Sequence, residues 1–231
     1  MRDLTVVFDL DGTLVETAPD LIGATNHVLS LINLGPDSPQ TRRPLISFGS
    51  RAMIETALSV HGRTLDASAV DSLWQEFLAY YARNIAVESH AYPGLELALD
   101  RLLAAGVRLA VCTNKQEHLS RQLLGSLQLL ERFAAIAGRD TFAVHKPNPG
   151  HLTGVIAQAG GDPTRAIMVG DSDTDVKTAR AANIPVIGVP FGYTDVPMQD
   201  LGADVVIENY SELQGAIAQI AATKWGQAAG L

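Results

Sequence analysis

The first apolar run of the chain lies in residues 4–13, LTVVFDLDGT, and it ends in two acids, Asp9 and Asp11. A strand that enters a protein core should not finish on two carboxylates, because burying an ionised carboxylate is strongly unfavourable unless something compensates its charge. A cation shared by Asp9 and Asp11 is the simplest compensation. The sequence therefore predicts a metal-dependent site at the carboxyl end of a buried first strand.

Short apolar runs alternate with stretches of helical periodicity along much of the chain. The further expected strands are Val107–Cys112, Ala134–Ala137, Ala166–Val169, Val186–Val189 and Val205–Ile207. The expected helices are Leu95–Ala105, Gln116–Leu127, Gly150–Ala159, Asp173–Ala182 and Ser211–Ala222. This alternation predicts an α/β fold with a parallel sheet, helices on both faces and right-handed crossovers.

One segment, 17–88, breaks the alternation, because it has helical spacing and no convincing strand. Its expected helices are Asp20–Leu34, Arg51–Val60 and Ala67–Asn84. We therefore expect a helical cap domain at 17–88, inserted after the first strand into a catalytic core formed by 1–16 and 89–231. An insertion at this strand end would cover the region where ligands bind in such folds.

Four polar clusters lie at or just after the ends of expected strands. In a parallel sheet these strand ends all lie at one edge. The clusters are Asp9–Thr13, Thr113–Lys115, Lys146–Pro147 and Gly170–Asp175. Their residue types fit phosphoryl transfer, in which a carboxylate attacks phosphorus and Mg²⁺ reduces the repulsion between the two anions. Hydroxyl, amide and ammonium groups would hold the phosphoryl oxygens.

Three acids take distinct expected roles in this chemistry. Asp9 is the expected nucleophile and, with Asp171, a Mg²⁺ ligand. Asp11 could share the same ion, and it is placed to protonate the leaving alcohol and then to activate water.

Three further residues are expected to bind the phosphoryl group, and one acid is expected to support them. Thr113 and Lys146 are catalytic as well as substrate-binding in this interpretation, and Asn114 lies directly beside Thr113. Asp175 would orient Lys146 or a metal-bound water.

Composition and charge exclude several other classes of protein. The chain has 231 residues, of which 47% are hydrophobic, so a sizeable core can form. A net charge of −8 without a basic run argues against nucleic acid as a partner. No stretch approaches a membrane span, and His145 and His151 lack a zinc-ligand spacing. We expect a cytoplasmic monomer or homodimer that acts on a small phosphorylated metabolite, with neither membrane nor nucleic acid.

The four clusters resemble the motifs of haloacid-dehalogenase-superfamily phosphatases. The matching stretches are Phe8–Val15, Thr113–Lys115, Lys146–Pro149 and Gly170–Asp175. The resemblance covers nearly the whole chain. It implies a Rossmann-like core, a squiggle and flap after the first strand, a mobile helical cap, Mg²⁺ and an aspartyl-phosphate intermediate.

Within that superfamily the chain is most similar to bacterial phosphoglycolate phosphatases, which implies hydrolysis of 2-phosphoglycolate to glycolate and phosphate. The supporting stretches are Glu16–Leu21, Tyr92–Gly94, Gly138–Asp140 and Phe191–Tyr193. Glu16 stands where aspartate is usual, which preserves the charge. Phe48–Arg51 resembles a cap loop that meets substrate, and there Arg51 either pairs with the glycolate carboxylate or is an ordinary charge on a helix surface.

Two alternatives remain at this stage. The same fold could support a phosphomutase, or a phosphatase for another small metabolite, because cap residues choose the substrate. A receiver-like switch also uses an acidic cluster, a phosphorylated aspartate and a lysine, but it is not an enzyme. The length of the chain, the insertion and the late acids at Gly170–Asp175 argue against a receiver.

Overall fold

The computed structural model describes residues 3–36, 46, 48–194 and 196–226. The strands are β1 (Thr5–Phe8), β2 (Val15–Glu16), β3 (His90–Ala91), β4 (Arg108–Cys112), β5 (Ala135–Ala137), β6 (Ala166–Gly170), β7 (Val186–Gly188) and β8 (Val205–Val206). The α-helices are α1 (Ala18–Leu31), α2 (Ser50–Val60), α3 (Ala67–Arg83), α4 (Leu95–Ala104), α5 (Glu117–Ser126), α6 (Pro149–Gln158), α7 (Asp173–Ala181), α8 (Met198–Leu201) and α9 (Leu213–Trp225). Short 3₁₀ turns cover Leu130–Arg132, Pro163–Arg165 and Tyr210–Glu212.

A six-stranded parallel sheet forms the centre of the molecule, in the order β5-β4-β1-β6-β7-β8. Phe8, the last residue of β1, lies opposite Val111 of β4 and Val169 of β6. This register brings the residues that follow the three strands to one edge of the sheet. The strand order reverses about β1, which is the position where open α/β sheets bind ligands. The predicted α/β class is confirmed.

Alternating side chains of β1 pack on opposite faces of the sheet, as the period of a strand requires. Val6 and Phe8 belong to one buried apolar cluster, and Val7 belongs to the other with Ala110 and Met168. Both faces are therefore covered, which explains why the strands read as continuous apolar runs without polar alternation.

The expected strands and helices occur with small shifts of their ends, while strands β2 and β3 and helix α8 were missed. The two-stranded antiparallel ribbon of β2 and β3 pairs Val15 with Ala91 and Glu16 with His90. Neither this ribbon nor the short helix α8 was predicted as a strand or helix from periodicity. The missed strands read VE and HA, so neither shows the short apolar run that identified β8, and the four residues of α8 span barely one helical turn.

The helices of segment 17–88 pack against one another above the sheet edge. Helix α3 contacts both α1 and α2, and it buries Leu73, Phe77 and Tyr81. The β2–β3 ribbon lies immediately outside the two ends of the segment. The division into a cap at 17–88 and a core at 1–16 and 89–231 stays a prediction, which this arrangement supports.

Asp20 links the start of this segment to its end by hydrogen bonds. Its buried carboxylate accepts hydrogen bonds from the Glu88 N–H (3.1 Å), the Ser89 N–H (2.8 Å) and the Ser89 hydroxyl (2.6 Å). In Asp20→Asn an NH₂ group replaces one carboxylate oxygen and cannot accept the hydrogen bonds that this oxygen accepts. The substitution should therefore lower the free energy of unfolding by about 1–3 kcal/mol. Urea denaturation followed by circular dichroism measures the change.

The matched control is Asp100→Asn, at an exposed acid of α4 that pairs with Arg132. We expect it to cost less than about 1 kcal/mol. Equal effects of the two substitutions would contradict the role given to Asp20.

Candidate active site

Three buried carboxylates meet at the carboxyl edge of the sheet. Asp9 follows β1, Asp171 follows β6 and Asp175 lies in the first turn of α7, and each offers an oxygen within 4.8 Å of the others. Four other polar residues anchor or complement this trio, and they are Thr13, Lys146, Ser172 and Tyr193. The trio is therefore positioned by both the sheet and its surrounding loops.

The start of α7 fixes Asp175. Ser172 is the N-cap of the helix, and its hydroxyl accepts a hydrogen bond from the Asp175 N–H (3.3 Å). In return Asp175 Oδ2 accepts hydrogen bonds from the Ser172 N–H (3.1 Å) and the Ser172 hydroxyl (2.6 Å). This reciprocal capping box leaves Asp175 Oδ1 facing the site.

Asp171 is held by donors from two distant loops. The Thr13 hydroxyl donates to Oδ1 (2.9 Å), and the Tyr193 N–H donates to Oδ2 (2.8 Å). Gly192 permits this approach, because a Cβ there would lie 2.2 Å from Asp171 Oδ2. The carboxylate therefore has a fixed orientation toward Asp9 and Asp175.

Lys146 places a positive charge against the three carboxylates of the trio. Its ammonium donates to Asp175 Oδ1 (2.6 Å) and lies 2.8 Å from Asp9 Oδ1. Burial by itself lowers the pKa of Lys146, but the charges of Asp175 and Asp9 outweigh burial and raise that pKa above its ordinary value. Lys146 therefore stays protonated.

One ammonium does not balance three buried carboxylates. Burial, followed by the charge of Asp175, raises the pKa of Asp9 to about 7. Burial, followed by the charges of Asp175 and Asp9, raises the pKa of Asp171 well above its usual range. A divalent cation would relieve this repulsion, and carboxylate oxygens are the ligands that hard cations prefer. The donor set therefore fits a metal ion, with Asp9, Asp171 and Asp175 as the residues that could hold it.

Asp11 lies beside the trio, and its carboxylate is bound elsewhere. Asp11 accepts hydrogen bonds from the Lys115 ammonium at 3.0 and 3.3 Å. The same ammonium lies 4.4 Å from the ring centroid of Tyr81, a residue of α3. Of the predicted metal ligands, the structure groups Asp9 and Asp171 with Asp175, whereas a metal-binding role for Asp11 stays a prediction.

The expected phosphoryl-binding residues are brought together by hydrogen bonds between their loops. Thr113 is buried at the end of β4, and its N–H donates to the Ala137 carbonyl (3.0 Å). The Asn114 side-chain amide donates to the Lys146 carbonyl (3.0 Å). These bonds connect the Thr113 loop, the Lys146 loop and the end of β5, although the role of each residue in binding stays a prediction.

A cavity of about 540 Å³ opens above these groups. The core contributes Asp9, Asp11, Thr113, Asn114, Lys146 and Asp171 to its lining, and segment 17–88 contributes Phe48, Arg51, Trp74, Phe77 and Tyr81. The guanidinium of Arg51 is paired with Glu55 (3.1 Å) and with Asp71. Arg51 thus lies where the sequence placed it, but its charge is already engaged by two acids.

The sequence showed only that His151 is not a zinc ligand, whereas in the structure it joins two loops of the site. The Lys146 N–H donates to His151 Nδ1 (3.1 Å), so the other ring nitrogen, Nε2, carries the proton and donates to the Gly138 carbonyl (3.0 Å). Burial, followed by the nearby Lys146 charge, lowers the pKa of His151 to about 4. The imidazole is therefore neutral and structural. Its position five residues after Lys146 was the available signal.

The depressed pKa of His151 predicts a specific dependence of stability on pH. Between about pH 6.5 and 4 the unfolded chain binds a proton that the folded chain does not, so this histidine makes stability fall as the pH falls through that window. His151→Gln should lose this component, which is on the order of 1–3 kcal/mol.

Urea denaturation of parent and variant at pH 7 and pH 4.5 measures this component. His118→Gln, at an exposed position of α5, is the matched control and should follow the parent. An identical pH slope for parent and His151→Gln would contradict the assignment of a neutral, buried His151.

Comparison with known proteins places the chain in a family. The family model described as haloacid dehalogenase-like hydrolase matches residues 6–189. A phosphoglycolate phosphatase of Agrobacterium fabrum is 45% identical over 223 residues, which cover 96% of each chain. A phosphoglycolate phosphatase of Mesorhizobium japonicum is 47% identical over 214 residues, covering 93% of this chain and 94% of the relative.

A solved structure agrees with this comparison. The crystal structure of a protein from Haemophilus somnus, described as a predicted phosphoglycolate phosphatase, superposes with a TM-score of 0.87 at 27% identity. The match covers 93% of this chain and 97% of the other.

The chain belongs to the haloacid dehalogenase-like hydrolase family and is an enzyme of that class. Phosphatases of this family generally use a metal ion, which agrees with the buried aspartate trio. Membership of a hydrolase family removes the alternative of a non-catalytic receiver. Across the described ranges, no helix has the length and apolar character needed to cross a membrane.

Proposed function

We propose that the protein is a Mg²⁺-dependent phosphomonoesterase that hydrolyses 2-phosphoglycolate to glycolate and phosphate in the cytoplasm. The observation that carries the proposal is the placement of Lys146 against Asp9 within the trio of Asp9, Asp171 and Asp175, at the base of a cavity. Relatives at 45% and 47% identity that are named phosphoglycolate phosphatase support the choice of substrate.

Asp9 is the nucleophile in this proposal. Its carboxylate oxygen forms a bond to phosphorus, the bond from phosphorus to the ester oxygen breaks, and the departing alkoxide takes a proton from Asp11. Asp11 then removes a proton from a water molecule, which attacks the aspartyl-phosphate and restores the carboxylate of Asp9. The Lys115 ammonium keeps Asp11 in a fixed position between these two steps.

Positive and hydrogen-bonding groups surround the transferring phosphoryl group. Lys146, Thr113 and the amides near Asn114 are proposed to contact its oxygens. When bound by Asp9 and Asp171, with Asp175 beside them, Mg²⁺ supplies charge that offsets the repulsion between carboxylate and phosphate. The segment 17–88 is proposed to act as a cap that excludes water from this cavity.

Phosphate release from a panel of small esters tests the proposal. The panel contains 2-phosphoglycolate, simple phosphosugars and nitrophenyl phosphate, each assayed with and without Mg²⁺. Preferential, Mg²⁺-dependent hydrolysis of 2-phosphoglycolate is expected. Preference for another ester would overturn the proposed substrate and keep the chemistry. Absence of release from every ester would overturn the phosphatase proposal and favour a mutase.

Asp171→Asn should raise the Mg²⁺ concentration needed for half-maximal activity by about tenfold or more, because one charged ligand becomes a neutral amide. Titration of Mg²⁺ at saturating substrate measures the shift. Asp173→Asn is the matched control, because Asp173 lies two residues away and pairs with Lys177 on the surface. An unchanged Mg²⁺ requirement in Asp171→Asn would contradict the ligand assignment.

A further inference from the structure

The basic side chains that line the cavity differ in whether their charges are already engaged. Within the described ranges these side chains are those of Arg51, Lys115, Arg139 and Lys146. A doubly charged phosphate ester that also carries a carboxylate needs a cation for the carboxylate in addition to those that bind phosphate. The partners of each basic residue therefore indicate which one remains for that carboxylate.

Three of the four cations have acidic partners. Lys146 contacts Asp9 and Asp175, and Lys115 is bound by Asp11. Arg51 is paired with two acids of segment 17–88, as described above. A substrate carboxylate would have to share any of these three cations with the acids that already neutralise its charge.

Arg139 is different, because its guanidinium makes neither a hydrogen bond nor an ion pair with any described residue. The adjacent acid does not occupy it, since Asp140 Oδ1 accepts from the Glu117 N–H (2.8 Å) at the start of α5. Glu117 is itself engaged by Arg121 (2.7 Å) and by the Thr141 hydroxyl (2.6 Å). Asp140 and Glu117 are thus both engaged by groups other than Arg139.

The backbone of Arg139 is fixed relative to the phosphoryl-binding loop. Its N–H donates to the Lys115 carbonyl (2.9 Å), two residues after Thr113. The preceding Gly138 packs so closely on this loop that a Cβ there would lie 2.2 Å from the Glu117 nitrogen. The guanidinium therefore extends from a rigid anchor beside the reaction centre, and its exposed side chain borders the cavity.

From these contacts we infer that Arg139 is the specificity-determining residue that binds the carboxylate of the substrate, and that Arg51 does not serve this purpose. The inference rests on the proposed function, because it names the residue that distinguishes a phosphorylated hydroxy acid from a neutral phosphate ester. A guanidinium suits a carboxylate because it can donate two parallel hydrogen bonds.

The test compares 2-phosphoglycolate with 2-hydroxyethyl phosphate, in which a CH₂OH group replaces the carboxylate. Arg139→Gln should raise KM for 2-phosphoglycolate about tenfold or more, with little change in kcat, because a charge-assisted contact is lost in the bound substrate. The kinetic constants for 2-hydroxyethyl phosphate should change less than about twofold. Arg139→Lys should recover part of the preference, since it keeps the charge but loses the bidentate geometry.

Two further variants complete the experiment. Arg101→Gln, at an exposed arginine of α4 away from the cavity, is the control for loss of surface charge, and it should leave both substrates unaffected. Arg51→Gln is the competing assignment. A selective rise of KM for 2-phosphoglycolate in Arg51→Gln, with none in Arg139→Gln, would overturn the inference.

The parent enzyme separates failure of the inference from failure of the proposed function. If the parent prefers 2-phosphoglycolate to 2-hydroxyethyl phosphate and Arg139→Gln keeps that preference, only the role of Arg139 is refuted. If the parent has no such preference, the proposed substrate and the role of Arg139 are both refuted. Thermal unfolding of each variant confirms that KM is compared between equally folded proteins.

Discussion

Replacing Asp9 with asparagine is expected to abolish turnover and to leave the fold unchanged. The amide has the shape of the carboxylate, but its oxygen is a far weaker nucleophile, so kcat should fall by at least about 10³-fold. Since Asp9 is buried beside Asp175, removing its charge also removes a repulsion. Without metal, the variant should therefore unfold at a temperature no lower than that of the parent.

Asp173→Asn is again the matched control for Asp9→Asn, and it should retain activity within about twofold. Initial rates of phosphate release and thermal unfolding measure both quantities. Substantial Mg²⁺-dependent activity in Asp9→Asn would show that another group attacks phosphorus. A loss of folded protein would instead show that Asp9 is needed for structure.

Asp11→Asn is expected to stop the reaction after the phosphoryl group has moved to Asp9. With nitrophenyl phosphate the leaving group needs no proton, so the first step should continue while hydrolysis of the intermediate loses its base. We expect steady-state turnover to fall about 10²- to 10⁴-fold. Rapid mixing should show a burst of nitrophenolate that approaches one equivalent of enzyme, without an equal burst of phosphate.

The position of Lys115 makes Lys115→Met a useful companion to this experiment. It removes the ammonium that holds Asp11 and keeps the Asp11 carboxylate itself. Turnover should fall in this variant without a burst as large as that of Asp11→Asn. Equal release of nitrophenolate and phosphate in Asp11→Asn throughout the time course would contradict the role of Asp11 as a base.

The main features of the fold and site were predictable from local patterns. The apolar runs of the sequence show where the strands end. The polar residues directly after those runs, at Asp9, Thr113 and Asp171, therefore identified the edge of the sheet that carries the site. The parallel sheet then brings these ends together without further information. The β2–β3 ribbon was missed because its strands, VE and HA, contain no apolar run like the one that identified β8.

Contacts that depend on side-chain orientation could not be predicted in the same way. Asp175 joins the trio through the capping box at Ser172, and Asp11 turns toward Lys115 beneath Tyr81 of α3. Arg51 lies at the cavity as expected, but only the structure shows that Glu55 and Asp71 pair with its guanidinium. Such pairings join distant or crowded segments and leave no spacing signal in one sequence.

Chemical trapping of the phosphorylated residue tests the central claim most directly. Asp11→Asn is mixed with nitrophenyl phosphate and Mg²⁺, quenched, and reduced with borohydride, which converts an acyl phosphate to an alcohol. Peptide mass spectrometry then locates the reduced residue. Homoserine is expected at Asp9 and at no other aspartate. Reduction at Asp171 or Asp175, or an unmodified chain under conditions that produce a burst, would contradict it.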